Sequence, residues 1–210
     1  MYIPSSFREE RLEKLHALIE THPLGLLITY GTSGLQATPV PFMLYTTEGE
    51  FGVLRAHLAR ANPCWKELVS GQECLVMFQG KDGYITPSWY PSKAETQQAV
   101  PTWNYVAVEV RGMPAVKDDP VWLRRHLDDL TRQHEGIRPE PWSVSDAPDD
   151  YIAGQLKAIV GIEIPIGCLE GKWKMSQNKT AADRQGVING LQDESDPHSH
   201  RGVAEVLTGS

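Results

Sequence analysis

Apolar and polar residues alternate with two different periods along this chain, and the change of period separates helical from extended segments. At the start, Ser6 and Glu9 form a capping-box pattern. Apolar residues between positions 12 and 19 then recur at the spacing of one helical face. Pro23 stops the pattern. The sequence therefore predicts an N-terminal helix that ends at His22.

Short β-prone segments dominate the next part of the chain. Pro39 and Pro41 interrupt one of them, which predicts an edge or bulged strand, and Asp82–Gly83 predicts a two-residue hairpin turn. Short strands at this spacing are typical of an antiparallel barrel or sandwich rather than of β-α-β units. The predicted strands are residues 24–30, 35–45, 51–55, 74–79, 84–85, 103–111 and 160–166.

Helical segments interrupt and follow the strands. The shortest begins at Asn62–Pro63, the expected order of cap and first helical residue, and Gly71 closes it. Two more lie between the last predicted strands and are separated by a Pro-rich linker. The polar end of the chain is expected to be mobile. The predicted helices are residues 62–69, 120–134, 149–158 and 181–191, and the polar tail is residues 192–210.

Composition and charge narrow the function classes. Hydrophobic residues make up 40% of the 210 positions, and the net charge is −7, which argues against a broad basic face for DNA. The three cysteines form no CxxC pair, so neither a disulfide framework nor a zinc site is predicted. No metal site is expected at His198 and His200, which lie in the polar tail. No apolar run reaches the length of a membrane span, and residues 1–10 lack a signal-peptide pattern, so we predict a cytoplasmic protein.

The first segment with candidate chemistry is residues 55–63 (RAHLARANP). A strand ends here and a helix begins, and the start of a helix offers unpaired N–H groups and the positive end of the dipole. Arg60 adds a fork of donors suited to phosphate, while Arg55 and His57 precede it on one side of the strand. One interpretation is an anion site, and the other is a capped helix with a surface arginine.

The second segment is a long loop. Residues 84–105 contain three prolines and five aromatic residues, and loops longer than about 12–15 residues in compact domains are usually functional or disordered. So many aromatic residues argue against disorder. The loop is able to cover a planar ring, with Ser88, Ser92 and Lys93 available for polar contacts. The alternative is a surface loop that packs on itself.

The third segment is residues 172–179 (KWKMSQNK), just before a predicted helix. Its amides are suited to reading the edge of a heterocycle, and its lysines to neutralising phosphate. The alternative is a solvated basic turn that caps the helix. Neither a G-x-G-x-x-G motif, a P-loop nor a G-x-S-x-G elbow occurs, so the common nucleotide-binding and hydrolase signatures are absent.

Together these segments resemble one known family. Residues 1–7 (MYIPSSF), 57–63 (HLARANP), 87–93 (PSWYPSK), 100–105 (VPTWNY) and 174–179 (KMSQNK) occur in its order. The family is PaiB, whose members are called FMN-binding negative transcriptional regulators, and the resemblance extends to about Leu191. Its fold is similar to the pyridoxamine-phosphate-oxidase-like split barrel. The resemblance implies a mainly β, α+β domain over residues 1–191. This domain would be a six-stranded antiparallel split β-barrel with peripheral helices and a helical insertion at about 118–158.

The resemblance also implies a homodimer with FMN at the subunit interface. By this analogy the strand–helix segment holds the flavin phosphate, the Trp89 loop covers the site, and residues near the end of the barrel reach it. The cofactor-binding residues implied are Arg55, His57, Leu58, Arg60, Asn62, Ser88, Trp89, Lys93, Lys174, Gln177 and Asn178. One departure is that many relatives carry Gly-Lys where this chain has residues 96–99 (TQQA), so a positive charge is missing here.

Three functions are consistent with these residues. The first is an FMN-binding negative regulator of transcription, for which direct DNA contact is not supported by the charge. The alternative is a flavin-dependent oxidoreductase or flavin reductase of small molecules, in which His57 is the one candidate base. A second alternative is a barrel that has lost flavin and binds haem or a metabolite, with His57 as the ligand to test. The sequence leaves open whether the protein catalyses a reaction.

Overall fold

The computed structural model describes residues 1–32 and 34–209. The sequence of residues 31–34 (GTSG) predicts a turn, and Ser33 of that turn lies outside the described residues. Seven α-helices and nine strands occur in the described residues. The strands are β1 (Arg8–Glu9), β2 (Leu24–Gly31), β3 (Gly34–Pro41), β4 (Met43–Tyr45), β5 (Val53–Ala59), β6 (Cys74–Ile85), β7 (Thr102–Gly112), β8 (Ala115–Lys117) and β9 (Ile159–Lys174). The helices are α1 (Leu12–Thr21), α2 (Cys64–Glu67), α3 (Ser92–Thr96), α4 (Pro120–Glu135), α5 (Asp149–Lys157), α6 (Ala181–Gln192) and α7 (Arg201–Thr208).

The strands form one large antiparallel sheet. The neighbours along it are β3-β2-β6-β7-β9-β5-β4, and β1 and β8 pair with β9 outside this path. The predicted six-stranded split barrel is therefore corrected to a sheet of nine strands whose path, in the described residues, does not close. The added strands pair with β9, which is sixteen residues long where the sequence predicted only residues 160–166. The edge position predicted from Pro39 and Pro41 is confirmed, because β3 lies at one end of the path.

The chain divides into two compact units built from discontinuous segments. Unit 1 comprises Met1–Leu18, Gln79–Val108 and Glu170–Ser210, and unit 2 comprises Ile19–Phe78 and Glu109–Leu169. The core of unit 2 is formed by fully buried aliphatic and aromatic residues of its strands: Leu27, Leu54, Phe78, Ile162 and Ile164. The core of unit 1 includes fully buried residues from both strands and helices: Ile85, Met175, Val187, Leu191 and Leu207.

The predicted hairpin at Asp82–Gly83 is wrong, because β6 runs through both residues. Gly83 serves packing instead of a turn. A Cβ atom at this position would lie 3.2 Å from the side chain of Val203 on α7, so glycine gives that helix room to approach the strand. The Asp–Gly pair is a local turn signal, and a long-range contact overrides it.

The N-terminal helix starts later than the capping-box pattern predicted. Glu9 belongs to β1, and its carboxylate accepts hydrogen bonds from the backbone N and the guanidinium of Arg11. These bonds hold the pKa of Glu9 at about 2, below its usual value. Because the Glu9 carboxylate is hydrogen-bonded to Arg11, it does not cap the helix, and α1 begins at Leu12.

The C-terminal residues contain a helix where the sequence predicted a mobile polar tail. In α7 the side chains of Val203, Ala204 and Leu207 are almost fully buried. His200 Nδ1 accepts a hydrogen bond from Val203 N at the start of the helix, and Arg184 donates to the Leu207 carbonyl at its end. The apolar spacing of this helix was present in the sequence, but polar neighbours obscured it. Among residues 1–32 and 34–209, no helix combines the length and the apolar character needed to cross a bilayer.

Candidate functional site

In unit 1 the start of β7 and the end of β9 bring two of the sequence motifs together. The Lys174 ammonium donates to Thr102 Oγ1 at 2.6 Å and to the Trp103 carbonyl at 2.8 Å. A cavity of about 160 Å³ lies beside this contact. Its lining residues come from the segments 100–104 and 174–179: Val100, Pro101, Thr102, Asn104, Lys174, Ser176, Asn178 and Lys179. We call it the lysine cavity.

A buried amide and a strained serine form part of the lysine cavity. Asn104 and Ser176 are 1% and 4% exposed, and the Asn104 amide donates to Ser176 Oγ at 3.0 Å. Ser176 has φ of +59°, in the left-handed region that side chains rarely adopt. Such strain clusters at functional sites, because it persists only where the surroundings impose it. The turn is closed by a hydrogen bond from Lys179 N to the Ser176 carbonyl.

Two lysines line this cavity, and a third, Lys172, lies close to Lys174 over the same aromatic ring. Lys172, Lys174 and Lys179 form no ion pair with a carboxylate in the described part of the chain. Instead they lie over aromatic rings: Lys172 Nζ is 5.1 Å and Lys174 Nζ 5.9 Å from the Tyr105 centroid, and Lys179 Nζ is 4.7 Å from that of Tyr90. Burial lowers the pKa of Lys174, and the charges of Lys172 and Lys179 lower it further. An anion in this place would relieve that repulsion.

Gln177 and Asn178, both predicted from sequence as cofactor-binding, have different surroundings. The side-chain oxygen of Gln177 accepts from Met175 N at 2.6 Å, and its amide nitrogen donates to the Trp173 carbonyl. Gln177 therefore braces the turn after β9, and both ends of its amide are engaged. Asn178 is exposed and lines the lysine cavity.

The Trp89 loop contacts α6 and the residues that follow it. The Trp89 indole donates to Asp196 at 2.9 Å, and Ser92 donates from both N and Oγ to Asp183. A Cβ atom at Gly190 would lie 2.3 Å from the indole, so this glycine lets the ring lie against the helix backbone. Trp89 is thus engaged with α6, while Ser88 and Lys93 of the same loop are exposed.

Other aromatic rings, which sequence reasoning did not assign to the site, are open to solvent beside the lysines. Trp103 is 53% exposed and meets Tyr84 edge to face, with centroids 5.9 Å apart. Tyr105, two residues further along β7, is half-buried beneath Lys172 and Lys174. Alternation along the strand was the signal that could have identified this pair, since residues 103 and 105 share one face of β7.

In unit 2 the predicted anion-binding arginines are already paired. The Arg55 guanidinium donates to Glu163 and to both carboxylate oxygens of Glu48, and it lies 4.1 Å over the Tyr45 ring. Arg60 forms a bidentate pair with Asp118. The remaining Arg60 donors reach two backbone carbonyls, those of Lys157 and Ile159.

The rest of the strand–helix segment is also internally satisfied. Asn62 Oδ1 accepts from Cys64 N at 3.0 Å, so its side chain is engaged at the start of α2, which is only four residues long. Leu58 is 5% exposed and belongs to the core. For residues 55–63 the geometry matches the capped-helix interpretation of the sequence.

His57 lies under α4 and contacts a second histidine. Its Nδ1 is 3.2 Å from Nε2 of His126, and the His126 ring stacks on Trp122. His126 is 2% exposed, and its Nδ1 has no hydrogen-bond partner among the described residues. Burial lowers the pKa of His57 and, with the charge of His57, lowers the pKa of His126 to about 4. Both rings are therefore neutral near pH 7, and no group of three or more metal-ligating side chains occurs in the described residues.

Comparisons with known proteins agree on one family. A family model described as "Putative FMN-binding domain" matches residues 1–167. The "Protease synthase and sporulation protein PAI 2" of Bacillus subtilis is 30% identical, covering 99% of this chain and 96% of its own. An Emericella nidulans protein is 36% identical over 92% of this chain and 91% of its own.

A solved structure shares the fold at low sequence identity. The flavocytochrome Anf3 of Azotobacter vinelandii superposes with a TM-score of 0.57 at 16% identity, covering 80% of this chain and 69% of that one. The family model ends before the lysine segment, whereas the Bacillus protein aligns over almost the whole chain.

Proposed function

The chain belongs to the FMN-binding family whose model it matches and is a homologue of the Bacillus PAI 2 protein, and from this premise we propose that it is a PaiB-like flavoprotein acting as a negative regulator of transcription. FMN is the cofactor that the family indicates. The observation that carries the proposal is in unit 1, where Lys174 and Lys179 line a polar cavity and Lys172 and Lys174 lie over the half-buried ring of Tyr105.

These residues fit the chemistry of FMN, which combines a phosphate with a planar heterocycle. Lysine ammonium groups suit the phosphate, and aromatic faces suit the ring. We propose that Lys172, Lys174, Lys179 and Asn178 bind the polar groups and that Trp103 and Tyr105 contact the ring. FMN would supply the redox chemistry, and the chain would bind and orient it.

The other residues predicted from sequence stay predictions. Lys174 and Asn178 belong to both sets. Of the remaining predicted residues, Ser88 and Lys93 are exposed. The others form contacts within the protein: Arg55, His57, Leu58, Arg60, Asn62, Trp89 and Gln177.

The regulatory part of the proposal has separate support. The name of the Bacillus relative, "Protease synthase and sporulation protein PAI 2", includes sporulation, which is a cellular process. The net charge of −7 disfavours phosphate-backbone contact, so the proposal does not depend on direct binding to DNA. A salt-dependent gel shift with promoter DNA would show direct contact.

We further propose a homodimer formed through the outer face of β2, β3 and β6. The register puts Leu24, Leu26 and Tyr30 opposite Pro41, Pro39 and Leu35, and Leu26 also opposite Met77. Leu24, Tyr30 and Leu35 are 66%, 62% and 75% exposed. Large apolar surfaces of this kind mark interaction sites. The apolar residues of this face are Leu24, Leu26, Ile28, Tyr30, Leu35, Ala37, Pro39, Pro41, Leu75 and Met77.

FMN titration tests the cofactor directly. We expect flavin fluorescence to change on addition of the protein, with saturation at one FMN per chain. A chain that takes up no FMN would contradict the proposal. If FMN binds, rapid bleaching by NADH would instead favour a flavin-dependent oxidoreductase. Haem uptake with loss of the signal in His57→Ala would favour the haem-binding alternative.

A further inference from the structure

Resting on the proposed function, we infer that residues 193–200, which we call the strap, add His198 to the ring-binding surface of unit 1. His198 and Tyr84 hold a planar heteroaromatic ring, which belongs either to the flavin or to a second ligand beside it. The two sources share the same chemistry at these side chains and are separated by experiment.

Two helices anchor the strap. It follows α6 directly, and its last residue, His200, donates from N to the Leu191 carbonyl of that helix at 2.8 Å. The next helix, α7, packs the buried Val203 side chain against β6 at Gly83, where an added Cβ would lie 3.2 Å from it. Because Gly83 directly precedes Tyr84, this packing brings the strap to Tyr84.

Asp196 fixes the middle of the strap and links it to the Trp89 loop. One of its carboxylate oxygens accepts from His198 N at 2.8 Å, and the other accepts from the Trp89 indole at 2.9 Å. Pro197 lies between Asp196 and His198, and the proline ring restricts the backbone further. The backbone of His198 is therefore held in place, although its side chain is exposed.

His198 extends a group of aromatic rings in unit 1. Its centroid lies 4.6 Å from that of Tyr84, and Tyr84 in turn meets Trp103 edge to face at 5.9 Å. His198 is exposed and Trp103 is 53% exposed, so solvent reaches both rings. Aromatic side chains of this kind pack on planar ligands through their faces and edges. Since the proposed flavin site already includes Trp103, the strap adds a ring to that surface.

The imidazole of His198 also has free polar groups. Neither of its ring nitrogens has a hydrogen-bond partner within residues 1–32 and 34–209; only the backbone N is bonded. A neutral imidazole offers one donor and one acceptor. A heteroaromatic ring carries matching groups on its edge, whereas a hydrocarbon ring does not. This chemistry favours a heteroaromatic ligand.

The first test measures affinity for lumiflavin, which is the flavin ring without the ribityl phosphate. In His198→Ala we expect the affinities for lumiflavin and FMN to fall equally, by about fivefold, the range of one aromatic contact. His198→Phe keeps a ring and should restore most of the loss. His134→Ala removes an exposed histidine of α4 and is the matched control. Binding is read from flavin fluorescence, and thermal unfolding shows that each variant is folded.

The second test applies if His198→Ala binds both flavins as well as the wild type, which excludes the flavin as the source of the ring. Ligand-observed NMR then uses FMN-loaded protein with nicotinamide and adenosine as probes. A contact that the wild type shows and His198→Ala loses supports a second ligand. A contact that is absent from the wild type, or unchanged in His198→Ala, overturns the inference and leaves the flavoprotein intact. Failure of the wild type to bind either flavin contradicts the proposed function itself.

Discussion

Two histidines, His57 half-buried and His126 buried, make the stability of this protein sensitive to acid. His57 and His126 face each other under α4, and Trp122, Arg55 and Asp129 surround them. Burial lowers both pKa values, so the folded protein keeps the rings neutral. In the unfolded chain the histidines titrate near pH 6.5. The unfolded state therefore takes up more protons below that pH, and stability is lost as the pH falls from about 6.5 toward 4.

This imbalance leads to a prediction for His126→Gln. A shift of the His126 pKa from 6.5 to about 4 costs the wild type roughly 2 kcal/mol of unfolding free energy between pH 7 and pH 5. The glutamine variant should lose less over the same range. Urea denaturation at the two pH values measures the difference, and His134→Gln, at an exposed position of α4, should behave as the wild type. Equal pH slopes in all three proteins would show that His126 does not titrate with unfolding.

Single residues also show which contacts at the site could not be predicted from the sequence. The motif around Arg60 has the right residue types for a phosphate, but Asp118 lies 58 positions away and satisfies it. Such a long-range partner leaves no local signal. Lys174 and Asn178 were identified from sequence because they lie in the segment 174–179, whose amides and lysines suit a phosphate-bearing heterocycle and which matches a motif of the family. The ring contact of Lys179 with Tyr90 spans a loop and a turn, so only the fold reveals it.

At the scale of secondary-structure elements, the sequence correctly predicted the helices and strands that carry clear local signals, such as caps and alternation. Asp119 caps α4 with Pro120 in its first turn, and both α4 and α6 lie within a residue of prediction. Alternation predicted β7 equally well. The errors at Gly83 and in α7 share one cause, since the strand and the helix are defined by their mutual packing.

The packing of the Trp89 side chain against α6 leads to a prediction for Gly190→Ala. The added Cβ would lie 2.3 Å from the indole, so Trp89 must move, and overpacking of this kind costs about 1–3 kcal/mol. Gly154→Ala in α5 is the matched control, because nothing lies within 4 Å of its Cβ position, and alanine there should be neutral or stabilising. Chemical denaturation of both variants measures the difference. A Gly190→Ala protein as stable as Gly154→Ala would contradict the packing described here.

For the whole molecule, an average property such as net charge does not describe the charge of each local surface. The net charge of −7 disfavours a broad basic surface, but it does not reveal that three lysines lie close together in unit 1. The family resemblance identified the large antiparallel sheet and FMN, but not the number of strands. The short strands β1 and β8 owe their existence to pairing with β9, and their two or three residues carry too weak a pattern to be read locally.

The apolar face of β2, β3 and β6 leads to the prediction for assembly. We expect the wild type to be a dimer in solution, because a stable interface buries about 1,200–2,000 Å² in total and this face supplies contiguous apolar surface from three strands. Leu35→Lys introduces a charge at a position that is 75% exposed in the single chain. It should shift the protein toward monomer, and its melting temperature should fall only by the stabilisation that association gave. Ile137→Lys, at a position 90% exposed outside this face, should remain dimeric. Sedimentation velocity over a range of concentrations measures the two species, and a monomeric wild type or a dimeric Leu35→Lys would remove this face as the interface.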